Sequence, residues 1–228
     1  MHIPDGFIDG STSVVAGAVA IGALGLSLHK AGDIVEDGRA PMAGLVAAFV
    51  FAGQMVNFPV ASGTSGHLLG GVLAAILLGP WLGSIVVAVV VSVQSLLFAD
   101  GGLSALGLNV INMAIVPAFA GYAVFFVIRK VLPATRPSVV GAAAATAWLS
   151  VVLASVAFAV EYLVGGNGAA SLATVATAMI GVHAVIGVGE AVITGLVVAA
   201  LLSVRPDLVY GARDLVVPDP VQAPVGVA

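Results

Sequence analysis

Long apolar runs recur along the whole chain, and they limit its fold more than any other feature. They fall at roughly 11–28, 42–58, 67–98, 109–128, 138–162 and 173–203. A run of about 18 apolar residues is long enough to cross a bilayer as a helix. Backbone amides in lipid must be satisfied internally, which leaves helices or a closed barrel, and barrel strands alternate over only about 10 residues. We therefore expect an all-α, polytopic membrane protein.

Composition supports this class and excludes several functions. The 228 residues are 61% hydrophobic and 8% charged, whereas a soluble domain carries about 25% charged residues. There is no cysteine, so disulfides are excluded and a bound metal would need nitrogen or oxygen ligands. The net charge of −4, without a basic patch, argues against nucleic acid binding.

The third apolar run is too long to be one helix. Residues 67–98 would span about 48 Å, against a hydrocarbon core of about 30 Å. Gly79-Pro80 lies inside the run, and a proline disfavours helix at the residue before it. Dividing the run there predicts seven transmembrane helices, the third being short and beginning near His67.

The distribution of basic residues tests this count. With seven helices, all seven basic residues share one face, whereas with six they divide two against five; they are Lys30, Arg39, Arg129, Lys130, Arg136, Arg205 and Arg213. The positive-inside rule places that face in the cytoplasm. We expect the N-terminus outside and the C-terminus inside, with one membrane domain at 1–205, its N-terminal ligand segment at 1–10, and a partly disordered tail at 206–228.

The chain begins MHIPDGFIDG, which has no positively charged region of the kind that a signal peptide needs, so we expect no cleavage. The amine of Met1, the amide nitrogen of His2 and its imidazole Nδ1 can then bind one ion through five- and six-membered chelate rings. Planar nitrogen coordination suits Ni(II) or Cu(II), and imidazole-rich sites also bind Co(II).

A fourth nitrogen is available from His67 in NFPVASGTSGHLLGG. The predicted topology places this histidine on the same outer face as His2. The glycines of SGTSGH allow close backbone approach, as a binding loop requires. The residues alone leave another interpretation open. In it, His2 lies at a frayed terminus, and His67 lies at the start of a helix and hydrogen-bonds to a loop.

The two motifs MHIPDGF and NFPVASGTSGHLLGG, with GVHAVIGVGEA in the last helix, resemble the substrate-capture (S) component of cobalt/nickel energy-coupling-factor (ECF) transporters, the CbiM/NikM family. The resemblance covers essentially the whole chain. It implies that Met1, His2 and His67 hold the ion. Many cobalt-type members begin MHIMEGF, so the start found here favours nickel, while the choice between Ni(II) and Co(II) stays open.

The chain has no Walker A motif, so it is not expected to be an enzyme, and ATP hydrolysis would have to come from other chains. The resemblance implies a pair of ABC-type ATPases and a coupling transmembrane (T) subunit as partners, and it allows a small accessory membrane subunit. The alternative is a stand-alone secondary divalent-metal permease.

Other polar residues in apolar surroundings admit further interpretations. GTSG matches the G-x-S-G of rhomboid proteases, with Ser65 as nucleophile and His183 as base, but no other feature of that class is present. His183 and Glu190 share a face of the last helix, either as structural hydrogen-bonding groups or in support of the ion. Gln54 and Asn57 are expected to brace the 59–66 loop or to bond between helices.

The predicted topology can be tested with reporter fusions. A reporter after Ala228 should be cytoplasmic, and one inserted within 164–170 should be external, because the positive-inside rule puts them on opposite faces. Alkaline phosphatase and green fluorescent protein activities would be compared in whole cells. Both sites reporting the same side would contradict the seven-helix topology.

Overall fold

A computed structural model describes residues 1–34, 39–60 and 64–215, and this part of the chain is mainly helical. Its helices are α1 Gly10–Ile34, α2 Ala40–Gln54, α3 Gly71–Leu78, α4 Pro80–Leu97, α5 Leu106–Val110, α6 Tyr122–Val131, α7 Arg136–Gly165 and α8 Leu172–Val204. A π-helical stretch, Ile111–Gly121, joins α5 to α6 in one continuous rod. The strands Phe58–Pro59 (β1) and Ser65–Gly66 (β2) form a short antiparallel pair.

Five helices within the described residues are long and apolar enough to cross a membrane: Gly10–Gly32, Pro80–Leu97, Leu106–Val131, Arg136–Gly165 and Leu172–Val204. The prediction of a helical, multi-pass membrane protein is thus confirmed. The helix α2 has 15 residues, and α3 has eight and is only about 12 Å long. The count of seven spans and the orientation of the termini therefore remain predictions.

The predicted break at Gly79-Pro80 is present, since α3 ends at Leu78 and α4 begins at Pro80. Gly79 has φ +88°, which favours glycine. The two helices fold back closely, because a Cβ added at Gly83 would lie 2.7 Å from the backbone nitrogen of Ala75. All eight residues of α3 are buried, so this short helix lies in the interior of the bundle.

The rod that contains the π-helical stretch packs directly on α3. A Cβ added at Gly71 would lie 2.6 Å from Pro117 Cβ and 2.7 Å from the Met113 carbonyl oxygen. Proline removes a backbone donor from a helix, and an inserted π-turn is one way to accommodate that loss. The rod also carries two buried asparagines, Asn109 and Asn112, one of which is central to the site described below.

Two ion pairs lie at the end of the bundle away from the N-terminal segment. α1 starts beside the N-terminal segment and carries Lys30 twenty residues further along, about 30 Å away in a helix. At that far end Arg129 lies 2.7 Å from Asp214, and Arg205 lies 2.7 Å from Asp207. The predicted tail begins there with two 3₁₀ turns within 206–215, while its remainder, 216–228, lies outside the described residues.

Candidate metal centre

The first three residues lie inside the bundle rather than at a frayed terminus. Met1 and Ile3 are fully buried, and His2 is 2% exposed. Ile3 donates its N–H to Asn109 Oδ1 at 2.7 Å and accepts from Asn109 Nδ2 at 3.2 Å. The Ile3 carbonyl also accepts from the Gly102 N–H at 2.8 Å. These bonds fix which residue of the chain occupies each position in the pocket.

Residues 4–9 anchor this segment to the loops around it. Asp5 accepts from the backbone N–H and the hydroxyl of Ser104, at 2.8 and 2.6 Å. Asp9 accepts from the Thr12 N–H at 2.8 Å and thereby caps the start of α1. Asn167 donates to the Gly6 carbonyl at 2.8 Å. Both aspartates of the opening motif therefore hold the backbone in place.

The structure brings His67 next to His2, as the sequence predicts. Their ring centroids are 4.7 Å apart, and His67 is fully buried. His67 Nδ1 donates to the carbonyl of Leu68 at 2.7 Å, so its Nε2 carries the lone pair. Within the described residues that Nε2 has no hydrogen-bond partner, and neither ring nitrogen of His2 has one. These buried unpaired nitrogens are suited to an incoming cation.

Burial keeps these nitrogens neutral. It lowers the pKa of the Met1 amine well below its usual value, against the opposing charges of Asp100 and Glu190. Burial, together with the nearby amine, also lowers the pKa of His2 to about 3 and that of His67 well below its usual value. A nitrogen must be deprotonated to bind a metal, so these lowered pKa values favour the form of the three groups that can accept a cation.

Side chains alone do not form this centre. In the described part of the chain no group of three or more His, Asp or Glu residues is placed to hold a metal. A candidate ligand set appears only when the amine of Met1 and the backbone of His2 are counted with the two imidazoles. The sequence signal for it is the position of His2 directly after the first residue.

Glu190 of α8 holds the backbone that follows His67. Its carboxylate accepts from Leu69 N–H at 2.5 Å and from Gly70 N–H at 2.7 Å. The Leu69 carbonyl in turn accepts from Gln54 Nε2 at 2.7 Å. Gln54 thus braces residue 69 rather than the 59–66 loop, and Asn57 bonds Asp100 Oδ2 at 2.8 Å in a different loop.

His183 is buried on the same face of α8. Its Nδ1 donates to the Met179 carbonyl at 2.8 Å, which leaves Nε2 without a partner among the described residues. Ser65 Oγ is also unpartnered there, so the structure contains no Ser65–His183 hydrogen bond of the kind that a serine protease uses. The protease interpretation therefore has no support in the geometry.

The fold and the pocket define a multi-pass helical membrane protein with a buried, nitrogen-lined site suited to a late first-row transition-metal ion. Residues 2–208 match the family CbiM, described as "Cobalt uptake substrate-specific transmembrane region". The chain belongs to this family of cobalt and nickel transport proteins, as the sequence resemblance predicted.

Relatives of known name agree with this assignment. A protein of Haloquadratum walsbyi, provisionally named a metal transport protein, is 40% identical over 92% of this chain and 94% of its own length. The fused nickel transport protein NikMN of Rhodobacter capsulatus is 32% identical over 96% of this chain and 67% of its own length. A crystal structure of a transition metal transporter aligns with TM-score 0.82 and 33% identity, covering 90% of this chain and 93% of that one.

The position of Glu190 generates a prediction. Glu190→Gln leaves one acceptor oxygen and turns an amide NH₂ toward a backbone donor, so the segment next to His67 should loosen. We expect metal affinity to fall about 10- to 100-fold, as for other groups that orient a ligand, with a lower Tm. Calorimetric titration with Ni(II) and thermal unfolding in detergent would measure these changes.

Glu161→Gln is the matched control. Glu161 is also a glutamate on a long apolar helix, but its carboxylate accepts from Asn112 at 2.6 Å rather than from the backbone at 69–70. This variant should bind metal nearly as the native protein does. Native affinity in Glu190→Gln would show that the hydrogen bonds of Glu190 to Leu69 and Gly70 do not position His67.

Proposed function

We propose that this chain is the substrate-binding S component of an ATP-driven ECF-type transporter, which captures Ni(II) or Co(II) outside the cell for uptake. The observation that carries the proposal is the contact of two buried imidazoles, 4.7 Å apart, beside a fully buried first residue. Leaving three buried imidazole nitrogens, both of His2 and Nε2 of His67, without hydrogen-bond partners in the described part of the chain is costly unless a ligand uses them.

The proposed ligands are the amine of Met1, the imidazole of His2, His67 Nε2 and the amide nitrogen of His2, which binds after releasing its proton to solvent. The amine, amide and imidazole of one dipeptide close two adjacent chelate rings, which favours a planar arrangement. The Ile3 N–H is already donated to Asn109, so the chelate is confined to the first two residues. Such a set of four nitrogens suits Ni(II) and Co(II) better than Mg²⁺ or Ca²⁺, which prefer oxygen.

Transport by this chain would need other subunits. The sequence contains no phosphate-binding loop of the Walker type, so the proposal assigns ATP hydrolysis to a pair of ABC-type ATPases that act through a coupling T subunit. A small accessory membrane subunit is a further possible partner, and the fused architecture named NikMN in a relative supports this suggestion. A stand-alone secondary permease is the alternative function.

The ligand set can be tested by adding one methionine before Met1. The added residue converts the present amine into an amide and moves the histidine to position 3, while Asn109 still holds Ile3 in place. We expect Ni(II) and Co(II) binding to be lost and the helical circular dichroism spectrum to be unchanged. Calorimetric titration of the purified protein, with its N-terminus verified by mass spectrometry, would measure this.

Adding the same residue after Ala228 is the control and should leave binding intact. His67→Ala should weaken binding at least about 100-fold, because only three ligands then remain. Native affinity in the N-terminally extended protein would disprove the proposed coordination.

The subunit assignment has its own test. The purified chain should bind metal without hydrolysing ATP, and an affinity tag on it should recover an ATPase from membranes of its native cell. ATPase activity would be measured before and after separation of the partners. Metal uptake into proteoliposomes that contain only this chain would instead favour the secondary permease.

A further inference from the structure

The proposed ligands are closed off from solvent, so an ion needs a route to them. Met1 and His67 are fully buried and His2 is 2% exposed. The ring of His2 lines a cavity of about 230 Å³, whose other polar side chains are Asp5, Ser65 and Asp100. Six water molecules occupy about 180 Å³ of liquid. The cavity can therefore admit a divalent cation that still carries its hydration shell.

Asp100 is the acidic group nearest to the buried imidazole. Its Oδ2 lies 3.5 Å from His2 Nε2, and its side chain is 20% exposed. It is therefore in contact with solvent and with the site at the same time. The other carboxylate that lines the cavity, Asp5, already accepts two hydrogen bonds from Ser104. Its negative charge adds to that of Asp100.

The loop that carries Asp100 includes an energetically unfavourable backbone conformation. Ala99 has φ +53° and is the one non-glycine residue with positive φ in the described part of the chain. A residue with a Cβ rarely adopts this conformation, and such strain is concentrated at functional sites. Bonds from the Asp100 N–H to the Gln94 carbonyl, at 3.1 Å, and from Asn57 to Asp100 Oδ2, at 2.8 Å, hold the carboxylate in place.

The same loop leaves space beside the imidazole. Gly101 has φ +89°, and a Cβ added there would lie 2.7 Å from His2 Nδ1. Any larger residue would fill the gap next to that nitrogen. Both ring nitrogens of His2, and the Ser65 hydroxyl across the cavity, are buried without partners among the described residues. The side chains of Asp100, His2 and Ser65 thus line one polar cavity.

We propose that Asp100 and the cavity around it form an outer capture site for a hydrated divalent transition-metal cation. This inference rests on the proposed function and deepens it. Asp100 holds the ion through its water shell, in hydrogen bonds that Ser65 can supplement. The ion then exchanges its waters one by one for the nitrogens of Met1, His2 and His67. A negative carboxylate in a confined cavity raises the local cation concentration and so the association rate.

Association kinetics separate a capture site from a ligand. Asp100→Asn keeps the size of the side chain and removes its charge. Stopped-flow absorbance with Co(II) would give association and dissociation rate constants for the purified protein at low and high ionic strength. We expect the association rate at low salt to fall about tenfold and its salt dependence to weaken. The dissociation rate should change less than about threefold.

Two variants control this experiment. Asp207→Asn removes the same charge at the opposite end of the bundle, where Asp207 pairs with Arg205, and should associate as the native protein does. Asp100→Glu restores the charge and should recover most of the rate. Circular dichroism and equilibrium stoichiometry would show that each variant is folded and binds one ion.

The outcomes are distinguishable. If the native protein binds no Co(II) or Ni(II) at equilibrium, the proposed function fails. If it binds but Asp100→Asn associates within twofold of the native rate and with the same salt dependence, only the capture site is refuted. A variant that associates normally and dissociates faster would make Asp100 a group that stabilises the bound ion, which also refutes capture.

Discussion

The burial of the chain's first residue is the constraint on which the rest of the structure depends. A chain terminus buried inside a membrane protein must be uncharged and fixed in register. Its remaining backbone N–H and C=O groups must all be hydrogen-bonded. The reciprocal hydrogen bonds between Ile3 and Asn109 provide the register, and desolvation provides the neutral amine. The turn at residues 4–7 and the loops beyond α4 and α7 surround the segment and close the pocket.

The helices divide into two structural roles. Five long apolar helices form the frame, whereas the elements nearest the pocket are interrupted: α3 is one short buried helix, and residues 67–70 are not helical. Irregular backbone is tolerated within a membrane only where protein satisfies its polar groups. Glu190 and Gln54 hydrogen-bond the backbone of Leu69 and Gly70. These two buried polar side chains therefore allow a non-helical segment in the interior of the bundle.

Hydropathy and the Gly79-Pro80 dipeptide were sufficient to predict the helical class and the break between α3 and α4. The contact between His2 and His67 was accessible from sequence, because two short motifs carry these residues and the predicted topology places both on one face. The contacts of Asn109 with Ile3 and of Asp100 with His2 were not predictable, since no periodic signal links residues so far apart in sequence. Glu190 was predicted as a hydrogen-bonding or ion-supporting group, but its partner Leu69, 121 positions away, was not. The π-helical stretch also lacks a sequence pattern of its own, because Pro117 is equally compatible with a simple kink.

The anchoring of the N-terminal segment has a consequence for biogenesis. Its partners lie far along the chain, 106 residues away at Asn109 and 161 residues away at Asn167. The opening segment is thus made well before its native neighbours and acquires them late, because contacts distant in sequence form late. The segment can reach all of these partners only after the chain has been synthesised through α7 and the loop that follows it. A closed pocket therefore marks a chain that has been completed through that loop, and a truncated chain would leave its opening segment without these anchors.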